Sequence, residues 1–146
     1  MAKVLVAYAS RTGKTEMIAN YIAEGVRFTG NEVEVKKISD IKDGAELAGY
    51  DAYIFGSPTY HRNMTGGMQQ FLFKAEKAGL AGKLAGAFGS YTHSGDAPGI
   101  IFDTMEHVFK MKPAELGSMN LLEDQVSTPD GIKAGQDYGR GVAAEL

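Results

Sequence analysis

The sequence predicts an α/β protein built on an open, doubly wound parallel sheet of five strands with helices on both faces. Three observations carry that prediction. Short apolar runs alternate along the chain with stretches whose apolar residues recur at helical spacing. The first run is apolar almost without interruption, whereas the second alternates with charges. The third and fourth runs each lead into a polar loop.

Lys3 to Ala9 is the first strand, apolar in the way of a strand buried on both faces and therefore central. From Glu16 to Arg27 the residues Met17, Ile18, Tyr21, Ile22 and Val26 form one helical stripe, with Asn20, Glu24 and Arg27 facing away. Glu32 to Ile38 alternates Val33 and Val35 with charges, which suits an edge strand protected by Lys36 and Lys37. A short helix is expected near Gly44 to Ala48. Ala52 to Gly56 and Leu84 to Gly89 are the third and fourth strands, separated by a helix with Met68, Phe71, Leu72 and Ala75 on one face. Pro98 stands in the first turn of another helix, whose stripe is Ile101, Met105, Val108 and Phe109. Ser118 to Gln125 supplies the fifth strand. Pro129 to Leu146 offers Ile132, Tyr138, Val142 and Leu146 for packing, yet its four glycines each cost about 1 kcal/mol against alanine in a helix, so tertiary contacts must hold it. A buried first strand and an edge-like second suit the strand order 2-1-3-4-5, and five helices are expected with the five strands.

At 146 residues one domain, residues 1–146, is expected. With 44% hydrophobic and 23% charged residues and no long apolar stretch, membrane insertion is not expected. The N-terminal residues enter a strand-like segment directly, and a cytoplasmic protein is expected. No cysteine is present, which excludes disulfides, thiolate nucleophiles and iron–sulfur ligation, so redox chemistry requires a bound organic cofactor. The net charge of −3 and the scattered lysines and arginines argue against nucleic-acid binding and are compatible with protein partners.

In such a sheet ligands sit beyond the carboxyl ends of the strands, on either side of the first strand. The relevant loops are Ser10 to Thr15, Ser57 to Met64 and Ser90 to Asp96. The first, Ser10-Arg11-Thr12-Gly13-Lys14-Thr15, leads into a helix, so hydroxyls and backbone N–H groups gather at a positive helix end, a cradle for a phosphate. Gly13-Lys14-Thr15 imitates the end of a nucleotide-binding P-loop, but the glycine required five residues earlier is Tyr8.

Ser10, Thr12, Gly13 and Thr15, followed by Gly56-Ser57-Pro58-Thr59 and Gly89-Ser90-Tyr91, resemble the three FMN-binding loops of the flavodoxin family. The similarity extends over essentially the whole chain. The third loop, Ser90-Tyr91-Thr92-His93-Ser94-Gly95-Asp96, is similar to that of the flavodoxin domain of flavo-diiron proteins. The resemblance implies FMN bound non-covalently, with its phosphate in Ser10, Arg11, Thr12, Gly13, Lys14 and Thr15. Its ring would lie between Ser57, Pro58, Thr59, Tyr60, His61, Arg62 and Asn63 on one side and Ser90, Tyr91, Thr92, His93, Gly95 and Asp96 on the other. Tyr60 would cover one ring face, and Tyr91 or His93 the other.

The chain departs from the family pattern at three places. Lys14 stands where asparagine is common, His93 where tryptophan is frequent, and Asn63 where relatives often carry glycine. Asn63 tolerates positive φ, so a backbone flip at that point could survive. His61, Arg62 and His93 place potential positive charge beside the ring, each able to contribute about 1–2 kcal/mol, or about 40–90 mV, which would make the second one-electron potential less negative. The functional expectation is an electron carrier serving redox partner proteins, a monomer being favoured over an oligomer. The alternative is an FMN-dependent NAD(P)H:quinone-type reductase. A phosphoacceptor receiver is a third class, disfavoured because the strand ends Ala9-Ser10 and Gly56-Ser57 carry no carboxylates. Asp96 and Asp124 are loop acids without an assignable partner, and no metal site is expected.

Overall fold

A strand apolar at every position must be covered on both sides, and the first strand, β1 (Lys3–Tyr8), is. Leu5 and Ala7 face one core, while Val4, Val6 and Tyr8 face the other. The computed structural model describes residues 1–146. It arranges β1, β2 (Glu32–Lys37), β3 (Ala52–Gly56), β4 (Leu84–Tyr91) and β5 (Lys112–Leu122) in one parallel sheet of order β2-β1-β3-β4-β5. α1 (Lys14–Phe28) and α4 (Pro129–Ala143) cover one face through Ile18, Ile22, Val26, Tyr138 and Val142. α2 (Gly66–Glu76) and α3 (Asp96–His107) cover the other through Met68, Phe71, Ile101 and Met105. The doubly wound fold and its strand order are as expected.

Four elements differ from expectation. The short helix near Gly44 is a single 3₁₀ turn, Gly44–Leu47, so there are four α-helices and not five. Asp43 caps that turn by accepting from the Ala45 N–H at 2.9 Å. Val108 and Leu146 are exposed: Val108 is the cap residue that follows the end of α3 at His107, and Leu146 lies three residues beyond the end of α4 at Ala143. The fifth strand begins at Lys112, six residues before the expected Ser118, and ends at Leu122. The early part carries no continuous strand pattern because it is interrupted: residues 114–117 stand opposite Gly86 alone, between the pairs Ala85↔Pro113 and Ala87↔Ser118. Gly117, at φ 73°, turns the chain back into register. The Tyr138 hydroxyl fills the gap, accepting from the Ala87 N–H at 3.0 Å and donating to the Gly117 carbonyl at 2.6 Å.

The glycines of α4 have a packing reason. A methyl on Gly139 would overlap the Ile22 carbonyl oxygen of α1, and one on Gly25 of α1 would overlap the Gln136 carbonyl oxygen of α4. At Gly135 it would lie 2.6 Å from Tyr21 Cβ. Backbone therefore meets backbone along the α1–α4 seam, and the propensity cost is offset by dispersion contacts no larger residue permits.

β2 lies at the sheet edge as predicted, with Glu34 bound to Lys3 at 2.9 Å, Lys36 at 3.4 Å and the Tyr50 hydroxyl at 2.6 Å. The Tyr50 hydrogen bond first, and that from Lys3 next, hold the Glu34 carboxyl down at about 2. A carboxylate depressed in the folded state stabilises above its unfolded range and loses that contribution as pH falls through the folded value. The Glu34→Gln variant is thus expected to be less stable than the parent at neutral pH by no more than about 1 kcal/mol, the side chain being partly exposed. Urea titrations should show the difference closing between about pH 4.5 and 2; a difference independent of pH would refute the assignment.

Candidate functional site

Strands β1, β3 and β4 end side by side, and their loops form the site. The first loop turns at Gly13, whose φ of 88° is left-handed and whose Cβ position is empty space. Ser10 Oγ accepts from the Gly13 N–H at 3.0 Å and closes the turn. Gly13 is also the cap residue of α1 and has no side chain to spend on the helix. The N–H groups of Lys14, Thr15 and Glu16 accordingly have no acceptor within the protein and point out of the helix start. An anion would be the natural partner of three such donors.

The hydroxyls are arranged differently from the picture of three converging on one phosphate. Only Thr12 is exposed; Thr15 is buried and its Oγ1 lies 3.0 Å from the equally buried Ser90 Oγ of β4. Arg11 extends sideways, its guanidinium 5.0 Å from the centre of the Tyr60 ring. Lys14 reaches toward the end of β5, 3.4 Å from Ser127 Oγ, and lines a groove of about 400 Å³ with Tyr91, Thr92 and Asp124.

The second loop leaves β3 through the buried residues Ser57, Pro58 and Thr59. Ser57 Oγ accepts from the Thr65 N–H at 3.1 Å and donates to the Pro58 carbonyl at 2.9 Å. Thr59 Oγ1 accepts from the Ala97 N–H at 3.0 Å and so caps α3, whose own cap residue, Gly95, has no side chain. This bond ties the second loop to the third. The Thr59→Val variant keeps the shape and orphans a buried N–H, at a cost of about 1–3 kcal/mol. Urea unfolding measures it, and an unchanged midpoint would show that Ala97 finds another acceptor.

Tyr60 and Asn63 then pair across a tight hairpin, with Tyr60 N–H to Asn63 O at 2.8 Å and Asn63 N–H to Tyr60 O at 3.0 Å. Its two central residues, His61 and Arg62, have φ of 50° and 62°, the pattern of a type I′ turn that usually takes Asn-Gly. The positive φ expected at Asn63 thus falls one and two residues earlier. Nothing in the pair His-Arg signals it, and side chains in that region cost about 1–3 kcal/mol each.

His61, Arg62 and His93 are all exposed. Arg62 Nε lies 3.3 Å from Asp96 Oδ2, so Asp96 does have a partner, and a carboxylate of opposite sign stands beside the charge expected from Arg62. Tyr91 is half-buried at the end of β4, and Asp96 opens α3. The sequence reading missed Asn120 of β5, whose Nδ2 donates to the Gly95 carbonyl at 2.7 Å and pins the third loop. No local pattern signals it, because the bond joins β5 to a loop 25 residues earlier in the chain.

The family described as a flavodoxin domain matches this chain over residues 5–120. A protein from Clostridium saccharobutylicum named flavodoxin is 40% identical over 87 residues, or 59% of this chain, and the match spans only 54% of that relative's length. A solved flavodoxin from the domain Archaea superposes with a TM-score of 0.89 at 28% identity, over 98% of this chain and 97% of that one. Oxidised flavodoxin 1 from Bacillus cereus gives 0.86 at 25% identity over 99% of both chains. Rubredoxin oxygen:oxidoreductase from Desulfovibrio gigas shares the fold, with a TM-score of 0.85 at 21% identity over 98% of this chain and 35% of that one.

Proposed function

The chain belongs to the flavodoxin family of FMN-binding electron-transfer proteins, and from that premise we propose that it carries electrons one at a time between redox partner proteins. The observation that supports this best is the row of unpaired N–H groups at Lys14, Thr15 and Glu16, set above a buried hydroxyl layer beside two aromatic loops. These donors, with the exposed Thr12 hydroxyl, fit the phosphate of FMN. Each hydrogen bond to a charged oxygen is worth about 1.5–3 kcal/mol, so no arginine clamp is needed. Arg11, turned onto Tyr60, holds that ring in place for the flavin in this reading. Tyr91 and the Thr92 to Asp96 segment form the opposite wall, kept in position by Asn120 and Thr59.

When bound, FMN supplies the redox chemistry, and the protein sets affinity, potential and access. The second loop offers the ring backbone groups in a strained turn, and the third offers half-buried aromatic surface. No helix is long and apolar enough to cross a membrane; a cytoplasmic site of action and monomeric operation are part of the proposal.

The test is to add FMN to the purified protein. Quenched flavin fluorescence and a visible spectrum that reduces in two one-electron stages are expected. Unquenched fluorescence removes the cofactor assignment. Direct two-electron bleaching with turnover of NAD(P)H and a quinone replaces the carrier with a reductase.

A further inference from the structure

We propose that the groove between the end of β2 and α2 seats an acidic protein partner beside the flavin loops. The proposal rests on the electron-carrier reading and adds where, and by what chemistry, a partner docks. The groove encloses about 450 Å³ and is lined by Arg11, Lys37 and Lys74 together with Ser39, Gln70 and Phe71. None of the three cations is engaged in an ion pair. Their convergence runs against the average of a chain whose net charge is −3. Lys74 also lines a neighbouring groove of about 270 Å³ with Lys42, Lys77 and a single carboxylate, Asp43, which caps the Gly44 turn, so the excess of positive charge continues past the end of α2. Phe73, 69% exposed, stands in that second groove and offers an aromatic anchor among the charges.

Three cations, Lys42, Lys74 and Lys77, share a groove with the exposed Phe73, and Arg11 and Lys37 extend the positive surface through the adjoining groove. The combination matches a partner surface bearing carboxylates around an apolar patch. The position suits electron transfer, because Arg11 lines the groove and also covers Tyr60. A partner held there therefore lies against the second flavin loop. Unpaired cations at the contact would steer the encounter and make it sensitive to salt.

The experiment titrates isotope-labelled, FMN-loaded protein with a zinc-substituted acidic blue-copper protein, a folded acidic surface that passes no electrons. A basic c-type cytochrome and inorganic triphosphate are run in parallel. Amide shifts are expected at Lys37, Ile38 and Ser39 and from Gly67 to Lys74, with affinity falling as salt rises. The K37Q/K74Q double variant should bind the acidic protein about three- to tenfold more weakly with its flavin spectrum unchanged. Shifts elsewhere, unchanged affinity in the double variant or tighter binding of the cytochrome would overturn the proposal. Stronger binding of triphosphate than of the acidic protein would also overturn it, in favour of a small-anion pocket. Since the zinc protein takes no electrons, a silent titration removes the docking site alone, whereas failure to reduce in one-electron stages removes the carrier reading alone.

Discussion

Replacing Gly139 by alanine is expected to destabilise the protein by about 3 kcal/mol or more, although alanine is the better helix former. In an exposed helix the change would gain about 1 kcal/mol. Here the new methyl would overlap the carbonyl oxygen of Ile22, and what it meets is backbone, which has no rotamer to yield. Relief requires α1 and α4 to separate, and the neighbouring contacts at Gly25 and Gly135 would open with them. Because α1 begins at the Gly13 turn, the displacement reaches the first loop of the candidate site. Thermal melting of the FMN-loaded protein should show a midpoint lower by about 6–12 °C. The matched control is Gly99→Ala in α3, where nothing lies within 4 Å of the added methyl, and which should be neutral or gain up to about 1 kcal/mol. Equal effects at both positions would mean that helix propensity, and not the seam, governs.

The Tyr138→Phe variant is expected to lose about 2–4 kcal/mol with almost no change in shape. The hydroxyl accepts from the Ala87 N–H across the gap in the β4–β5 ladder and donates to the Gly117 carbonyl. Phenylalanine leaves both groups facing an apolar ring. Burial, the largest influence on this phenol, already pushes its ionisation well above the ordinary tyrosine value, so it acts as a neutral donor and acceptor throughout the usable pH range. The urea midpoint should fall at constant slope, and the Ala87 amide should exchange faster. Since Asn120 lies just beyond the interruption and holds the third loop, weaker FMN binding is expected as well. Full retention of stability would show that the ladder closes without the hydroxyl.

The central strands were legible because burial on both faces leaves an unbroken apolar record, as in Val4 to Tyr8 and Ala52 to Gly56. The helices were legible from their stripes, and the three site loops from where strands end in serine and glycine. What stayed hidden depends on contacts distant in sequence. The glycines of α4 looked costly until α1 was placed against them, and β5 was unreadable where residues 114–117 leave the ladder. Positive φ was sought at Asn63 on grounds of residue type, whereas the hairpin imposes it on His61 and Arg62. The hydroxyls of the first loop are legible as residue types, but that of Thr15 turns inward to Ser90, 75 residues further along, which no local pattern shows.

Beneath the three loops the hydroxyls of Ser10, Thr15, Ser57, Thr59 and Ser90 are each engaged with a fixed backbone or side-chain neighbour. Dipoles held in this way have little freedom to swing when charge above them changes. For the electron carriage proposed above, a medium so fixed would need little rearrangement around an arriving or departing electron.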